Sequence, residues 1–118
     1  MTVHDVAAAC VVMVTGELDY ATVGRFRAGV NAVAARLGDT ALVIDLSGVE
    51  FLGSGGLAAL VDIHRTLANG RPARIVAGES RRALRPIQLS GLDQILSVHH
   101  SVDDALAANA KQLPPRKM

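Results

Sequence analysis

Four apolar, mostly β-branched runs alternate along this chain with segments whose apolar residues recur every three or four positions. A period of two or a continuous apolar run suits a strand, and a 3-4 spacing suits one face of a helix. Their regular alternation restricts the chain to an α/β architecture with a mostly parallel sheet. "ACVVMVTGEL" (Ala9 to Leu18) reads as a well-buried strand, and a short edge strand at Thr2 to Val6 is expected to pair with it. "TALVIDLS" (Thr40 to Ser47) is apolar throughout, as a central parallel strand should be. "ARIVAG" (Ala73 to Gly78) and "ILSVHH" supply two more strands.

The intervening helices are legible from their stripes. Val23, Phe26, Val30, Val33 and Leu37 form the first, with Gly38 as its stop. The second spans about Ser54 to Ala68, with Leu57, Leu60, Val61, His64 and Leu67 on its inner side, and "NGRP" at 69–72 breaks the chain after it. A third, Ser80 to Leu89, carries Pro86, which removes a hydrogen bond and predicts a short or kinked helix ended by Gly91. "SVDD" begins the last, lined by Val102, Leu106, Ala110 and Leu113. With 118 residues, one domain over 1–113 and a frayed tail at 114–118 are expected.

Composition narrows the function. The formal net charge is +1 and only two lysines, Lys111 and Lys117, are present. Nucleic-acid binders need clustered cations, and single-strand binders also need aromatic platforms, so direct nucleic-acid binding is not expected. The basic group Arg81, Arg82 and Arg85 suits a solvated helix face. No apolar run reaches the length of a membrane span, and the N-terminus has no charged-then-apolar signal pattern. The lone Cys10 cannot form an internal disulfide, which points to a reducing, cytoplasmic compartment.

One stretch asks for a special explanation. "FLGSGGLAAL" (51–60) places Ser54 among three glycines just ahead of a helix. Serine is a strong N-cap, which accounts for Ser54, but glycine early in a helix costs up to about 1 kcal/mol against alanine, which leaves Gly55 and Gly56 unexplained. Bare N–H groups at a helix start can cradle a phosphate. The spacing of a phosphate-binding loop and its lysine are absent, however, as is a dinucleotide G-x-G-x-x-G. The third reading makes Ser54 a substrate: its glycine neighbours leave the hydroxyl open to a kinase, and the helix dipole tolerates the added charge.

Catalytic readings have less to stand on. Ser54 has no obvious base, since His64 falls on the inner side of its own helix. His99 and His100 point to opposite faces of a strand and cannot grip one metal together. Glu17, Asp19, Asp45 and Glu50 can gather at one edge without forming a marked acid/base pair, and Asp19 is placed to face Ser54. Asp45 at a strand end suggests a phospho-receiver domain, but that domain's acidic pair and late lysine are missing. No enzyme activity, cofactor or metal is expected.

"GELDYATVGRFRAGV" followed by "VIDLSGVEFLGSGGLAAL", with "LSGL" at 89–92, resembles the STAS domain of bacterial anti-sigma factor antagonists over about Val11 to Ala110. The resemblance implies a mixed, mostly parallel sheet of four or five strands with about four helices packed on one side. It also implies partner switching: the unphosphorylated protein binds an anti-sigma factor that is a GHKL-type serine kinase and so frees a sigma factor. Phosphorylation of the serine opening the second main helix releases it, and a PPM-type phosphatase restores it. The family string there reads Asp-Ser-Ser/Thr-Gly-Leu, which carries the acceptor role to Ser54, and the partner is expected to bind at Gly53, Ser54, Gly55, Gly56 and Leu57 together with Asp19 facing them. Gly53 replaces the usual aspartate and Gly55 the second hydroxyl residue. Two other readings stand beside this one: an unphosphorylated STAS adaptor in a lipid-transport or stress-signalling assembly or on a redox partner acting through Cys10, and a small nucleotide-binding enzyme.

Overall fold

The protein is described by a computed structural model covering residues 1–6, 9–37, 40–66 and 73–112. Its elements run β1 (Thr2–Val6), β2 (Ala9–Leu18), α1 (Val23–Ala35), β3 (Ala41–Leu52), α2 (Ser54–Thr66), β4 (Arg74–Val76), α3 (Arg81–Leu89), a 3-10 turn (Leu92–Gln94), β5 (Ser97–His99) and α4 (Val102–Gln112). The five strands lie in sequence order in one sheet, with β1 antiparallel to β2 and all other pairs parallel. The expected mixed, mostly parallel sheet and four helices are therefore present. Gly38, the 69–72 break, Leu67, Leu113 and the 114–118 tail lie outside the described residues.

Side-chain alternation in β2 and β3 divides the core into two layers. Cys10, Val12, Val14, Leu42, Ile44 and Leu46 face Phe26, Val30 and Val33 of α1, Ala59, Leu60 and Ile63 of α2, and Ala83 and Ile87 of α3. Ala9, Val11, Ala41, Val43 and Val76 face the other way, against Ala105 of α4, with Val102 and Leu106 beside it. Here the structure corrects the expectation of four helices on one side: α1, α2 and α3 share a face and α4 covers the opposite one. Parallel crossovers are right-handed, so helices joining strands laid down in one direction must share a face. α4 joins no two strands of this sheet and covers the second apolar face, which would otherwise meet water.

β3 also departs from expectation. The sequence suggests an end at Ser47, whereas the strand runs to Leu52, paired with β2 as far as Leu18↔Leu52. The register slips between Met13 and Thr15 and again between Gly16 and Glu17, each time with one extra residue on β3. Such bulges break the period-two pattern and so make a strand look like a loop. Only Gly53 separates the strand from α2.

The helices follow their local signals with one adjustment. On α2 the buried side chains are Ala59, Leu60 and Ile63, while Leu57, Val61 and His64 are half-buried, so the inner face is rotated from the expected stripe. α3 runs through Pro86 for three further residues and ends before Gly91, which takes the left-handed conformation at φ 78°. The Ser80 hydroxyl caps α3 by accepting from the Ala83 N–H at 3.3 Å. Ser80→Ala is expected to lower stability by about 1 kcal/mol in urea denaturation. Ser101 caps α4 in the same manner, through the Asp104 N–H.

Candidate functional site

The first turn of α2 is pinned to the end of β2 through one carbonyl. The Gly53 N–H donates to Leu18 O at 3.0 Å, and the Gly53 carbonyl accepts from Leu57 N at 3.0 Å. Gly53 therefore holds the cap position and Ser54 is the first residue of the helix, so the serine hydroxyl is not the cap that its residue type suggests. Its hydrogen bond runs instead to the Tyr20 hydroxyl, at a long 3.4 Å. Gly56 lies against the same carbonyl: a Cβ there would sit 2.6 Å from Leu18 O and 2.7 Å from Leu52 Cδ1. Close approach of helix to strand explains this glycine.

The other two glycines make room for aromatic rings. A Cβ on Gly55 would lie 2.9 Å from Tyr20 Cδ1, and one on Gly53 would lie 2.9 Å from Phe51 Cε2. Tyr20 rides on a tight turn after β2 that Asp19 organises. Asp19 Oδ1 accepts from Ala21 N at 3.0 Å and Thr22 N at 3.2 Å. Thr22 Oγ1 accepts from Asp19 N at 3.0 Å and donates to Glu17 O at 2.8 Å. The Asp19 carboxylate thus shapes the turn that carries Tyr20 to Ser54, a positioning role.

The structure brings Asp19, Gly53, Ser54, Gly55, Gly56 and Leu57 together at the carboxyl edge of β2 and β3, the edge where ligands gather in parallel sheets. They differ in access. Ser54 is exposed, Asp19, Gly53 and Leu57 are half-buried, and Gly55 and Gly56 are covered. Around the serine stand Tyr20, 79 % exposed, and Phe51, 52 % exposed, with Glu17, the β2 partner of Phe51, also open to water. Two large exposed aromatics in a chain with one tyrosine and two phenylalanines make an aromatic, acidic face.

The remaining candidates lie elsewhere. Asp45 is buried and spends Oδ1 on the backbone N–H and hydroxyl of Ser47, at 2.9 and 2.6 Å. His99 shares a hydrogen bond with Ser97 Oγ at 2.9 Å; burial, aided by Arg74, lowers its pKa. Cys10 is fully buried, and that burial together with Asp5 pushes its thiol pKa up. Among the described residues no helix is long and apolar enough to cross a membrane.

A serine opening α2 on an exposed face of this sheet is the arrangement that known proteins can be compared with. The chain matches the STAS domain family over residues 1–105. It is 38 % identical over 106 residues to the anti-sigma-F factor antagonist RsfB of Mycobacterium tuberculosis, spanning 90 % of this chain and 85 % of that one. The chain belongs to the STAS-domain anti-sigma factor antagonists. Among solved structures, an anti-sigma factor antagonist from Mycobacterium paratuberculosis superposes with a TM-score of 0.82 at 40 % identity, over 91 % of this chain and 90 % of that one. The unphosphorylated form of the anti-sigma factor antagonist SpoIIAA superposes with a TM-score of 0.65 over 95 % and 98 % of the two chains. At 16 % identity that likeness shows the STAS fold alone.

Within this STAS domain, Tyr20 and Phe51 are the site residues that sequence reasoning missed. Their signal was present: two of the three aromatics stand next to acidic residues, in "LDY" and "VEF", at the ends of the strands leading to the site. Both departures from the family string now have a physical account. The space beside Gly53 is taken by the Phe51 ring and that beside Gly55 by the Tyr20 ring.

Proposed function

We propose that this protein is an anti-sigma factor antagonist that works by partner switching at Ser54. The observation that supports it most is a serine hydroxyl in the first turn of α2 that is exposed and not used as a helix cap, on a face with two open aromatic rings. In its unmodified form this face docks an anti-sigma factor of the GHKL serine-kinase type, in the cytoplasm, and a sigma factor is released. The kinase then modifies its own ligand. Ser54 Oγ forms a bond to the γ-phosphorus of ATP as the bond from that phosphorus to the bridging oxygen breaks. ADP departs and the hydroxyl proton passes to a base on the kinase.

The added group brings about −1.5 to −2 charges to a face that already holds Glu17 and Asp19. The helix dipole offsets only about 0.3–1 kcal/mol of this, enough to keep α2 folded and too little to neutralise the face. Docking is lost through repulsion and bulk, and a PPM-type phosphatase returns the serine to its starting state.

Incubation with the cognate anti-sigma factor and ATP, followed by intact-mass measurement, is expected to add one phosphate to the wild-type chain and none to Ser54→Ala. Ser54→Asp is expected to weaken binding to that factor at least tenfold, about 1.4 kcal/mol, in calorimetry. An equal mass gain on Ser54→Ala would refute the assignment of the serine. A second reading, a constitutive adaptor with the same fold, is favoured by the glycines standing where the family string has a carboxylate and a hydroxyl. Binding with no mass gain would select it. The fully buried Cys10 thiol speaks against its redox-partner version.

A further inference from the structure

The glycines around Ser54 tie its chemistry to a side chain across the site. Tyr20 is the most exposed of the large apolar side chains described, yet one edge of its ring is seated: Cδ1, Cε1 and Cγ lie 2.9, 3.1 and 3.2 Å from where a Gly55 Cβ would stand. Its hydroxyl accepts the hydrogen bond from Ser54 Oγ at 3.4 Å. That separation exceeds the usual range for two hydroxyls, so the seat on Gly55 holds the ring more than the bond does.

We propose that Tyr20 is the moving part of the switch: phosphate on Ser54 unseats its ring from Gly55 and so withdraws an aromatic anchor from the docking face. The step rests on the reading of Ser54 as the modified residue. A phosphate on Oγ that points toward Tyr20 puts its phosphorus and outer oxygens into the 3.4 Å gap between the two hydroxyls, which is too short to hold them and the phenol oxygen together. The phosphate and the phenol compete for the same space. The turn below cannot follow freely, because Asp19 and Thr22 hold it by reciprocal hydrogen bonds. The ring, by contrast, faces open solvent and can rotate away. Tyrosine is a frequent anchor at interfaces, so losing its position adds a packing loss to the charge repulsion.

Tyr20 is the only tyrosine and the chain has no tryptophan, so its fluorescence is a private signal. The test compares the full chain with the same chain carrying genetically encoded phosphoserine at position 54, which needs no kinase. In the unmodified chain, nuclear Overhauser contacts from the Tyr20 ring to Gly55 and a ring-current shift of the Gly55 Hα protons are expected. Both are expected to disappear in the phosphoserine chain, with a fall in tyrosine fluorescence anisotropy. Gly55→Ala is expected to remove the same contacts without adding charge, and Ser54→Ala to keep them. Against the cognate anti-sigma factor, Tyr20→Ala is expected to lose affinity about tenfold with Ser54 intact, while Tyr20→Phe retains it. Contacts and anisotropy that persist unchanged in the phosphoserine chain overturn the proposal. Their loss alongside a negative kinase assay keeps the mechanical coupling and overturns the switch instead.

Discussion

Replacing Gly56 with valine is expected to destabilise the domain by about 3 kcal/mol in urea denaturation, with thermal unfolding on the order of 10 °C lower. Helix propensity alone points the other way, since glycine inside a helix is about 1 kcal/mol worse than alanine. Geometry outweighs it. The new Cβ would meet Leu18 O at 2.6 Å and Leu52 Cδ1 at 2.7 Å, and the first of these is backbone in a paired strand. That carbonyl also receives the Gly53 N–H, so it cannot retreat without loosening the cap of α2. Gly55→Ala provides the contrast. The atoms nearest its new Cβ all belong to the exposed Tyr20 ring, which can swing into solvent, so its stability is expected to stay within about 1 kcal/mol of wild type. Equal unfolding midpoints for Gly56→Val and wild type would show that α2 does not start against Leu18.

Ala105→Asp is expected to cost about 3 kcal/mol, and Ala107→Asp, two residues on, less than about 0.5 kcal/mol. Ala105 has no exposed surface and packs among Ala9, Val11, Ala41, Val43 and Val76, whereas Ala107 faces water. A carboxylate among those apolar side chains loses its water shell, so it must stay protonated, turn to the buried Arg74 on the same side of the sheet, or force α4 off it. Hydrogen exchange should then rise first in α4 and on the Val11 and Val43 side of the sheet, since the layer under α1, α2 and α3 is separate. Two equally stable variants would mean that α4 does not cover this face.

Much of this site was legible in the primary structure, for definite reasons. Ser54 drew attention because three glycines within four positions are costly to order and so imply a constraint. The nature of the constraint was not legible. Gly56 answers to a carbonyl on β2, Gly55 to a ring carried on the turn after β2, and Gly53 to a ring two residues earlier on β3. Two of those three partners lie more than thirty residues away in the chain. Asp19 was correctly placed near Ser54, yet its hydrogen bonds are local to its own turn and reach the serine only through Tyr20. Ile63 was missed on the inner face of α2 because a few half-buried residues beside it, Val61 and His64, gave an equally regular spacing.

By itself the sequence determined the alternation of strands and helices, their order, the stop of α3 at Gly91, and the serine at the head of α2. Each of these is written in spacings and turn chemistry within a few residues, where backbone preference and solvent decide alone. Tertiary structure decided the rest: the extension of β3 through two bulges to Leu52, the placing of α4 on the far face, and the meeting of Tyr20 with Ser54. Those depend on a partner strand's length, an uncovered apolar layer and a ring's room beside a glycine. Such quantities exist only once distant segments have been packed together.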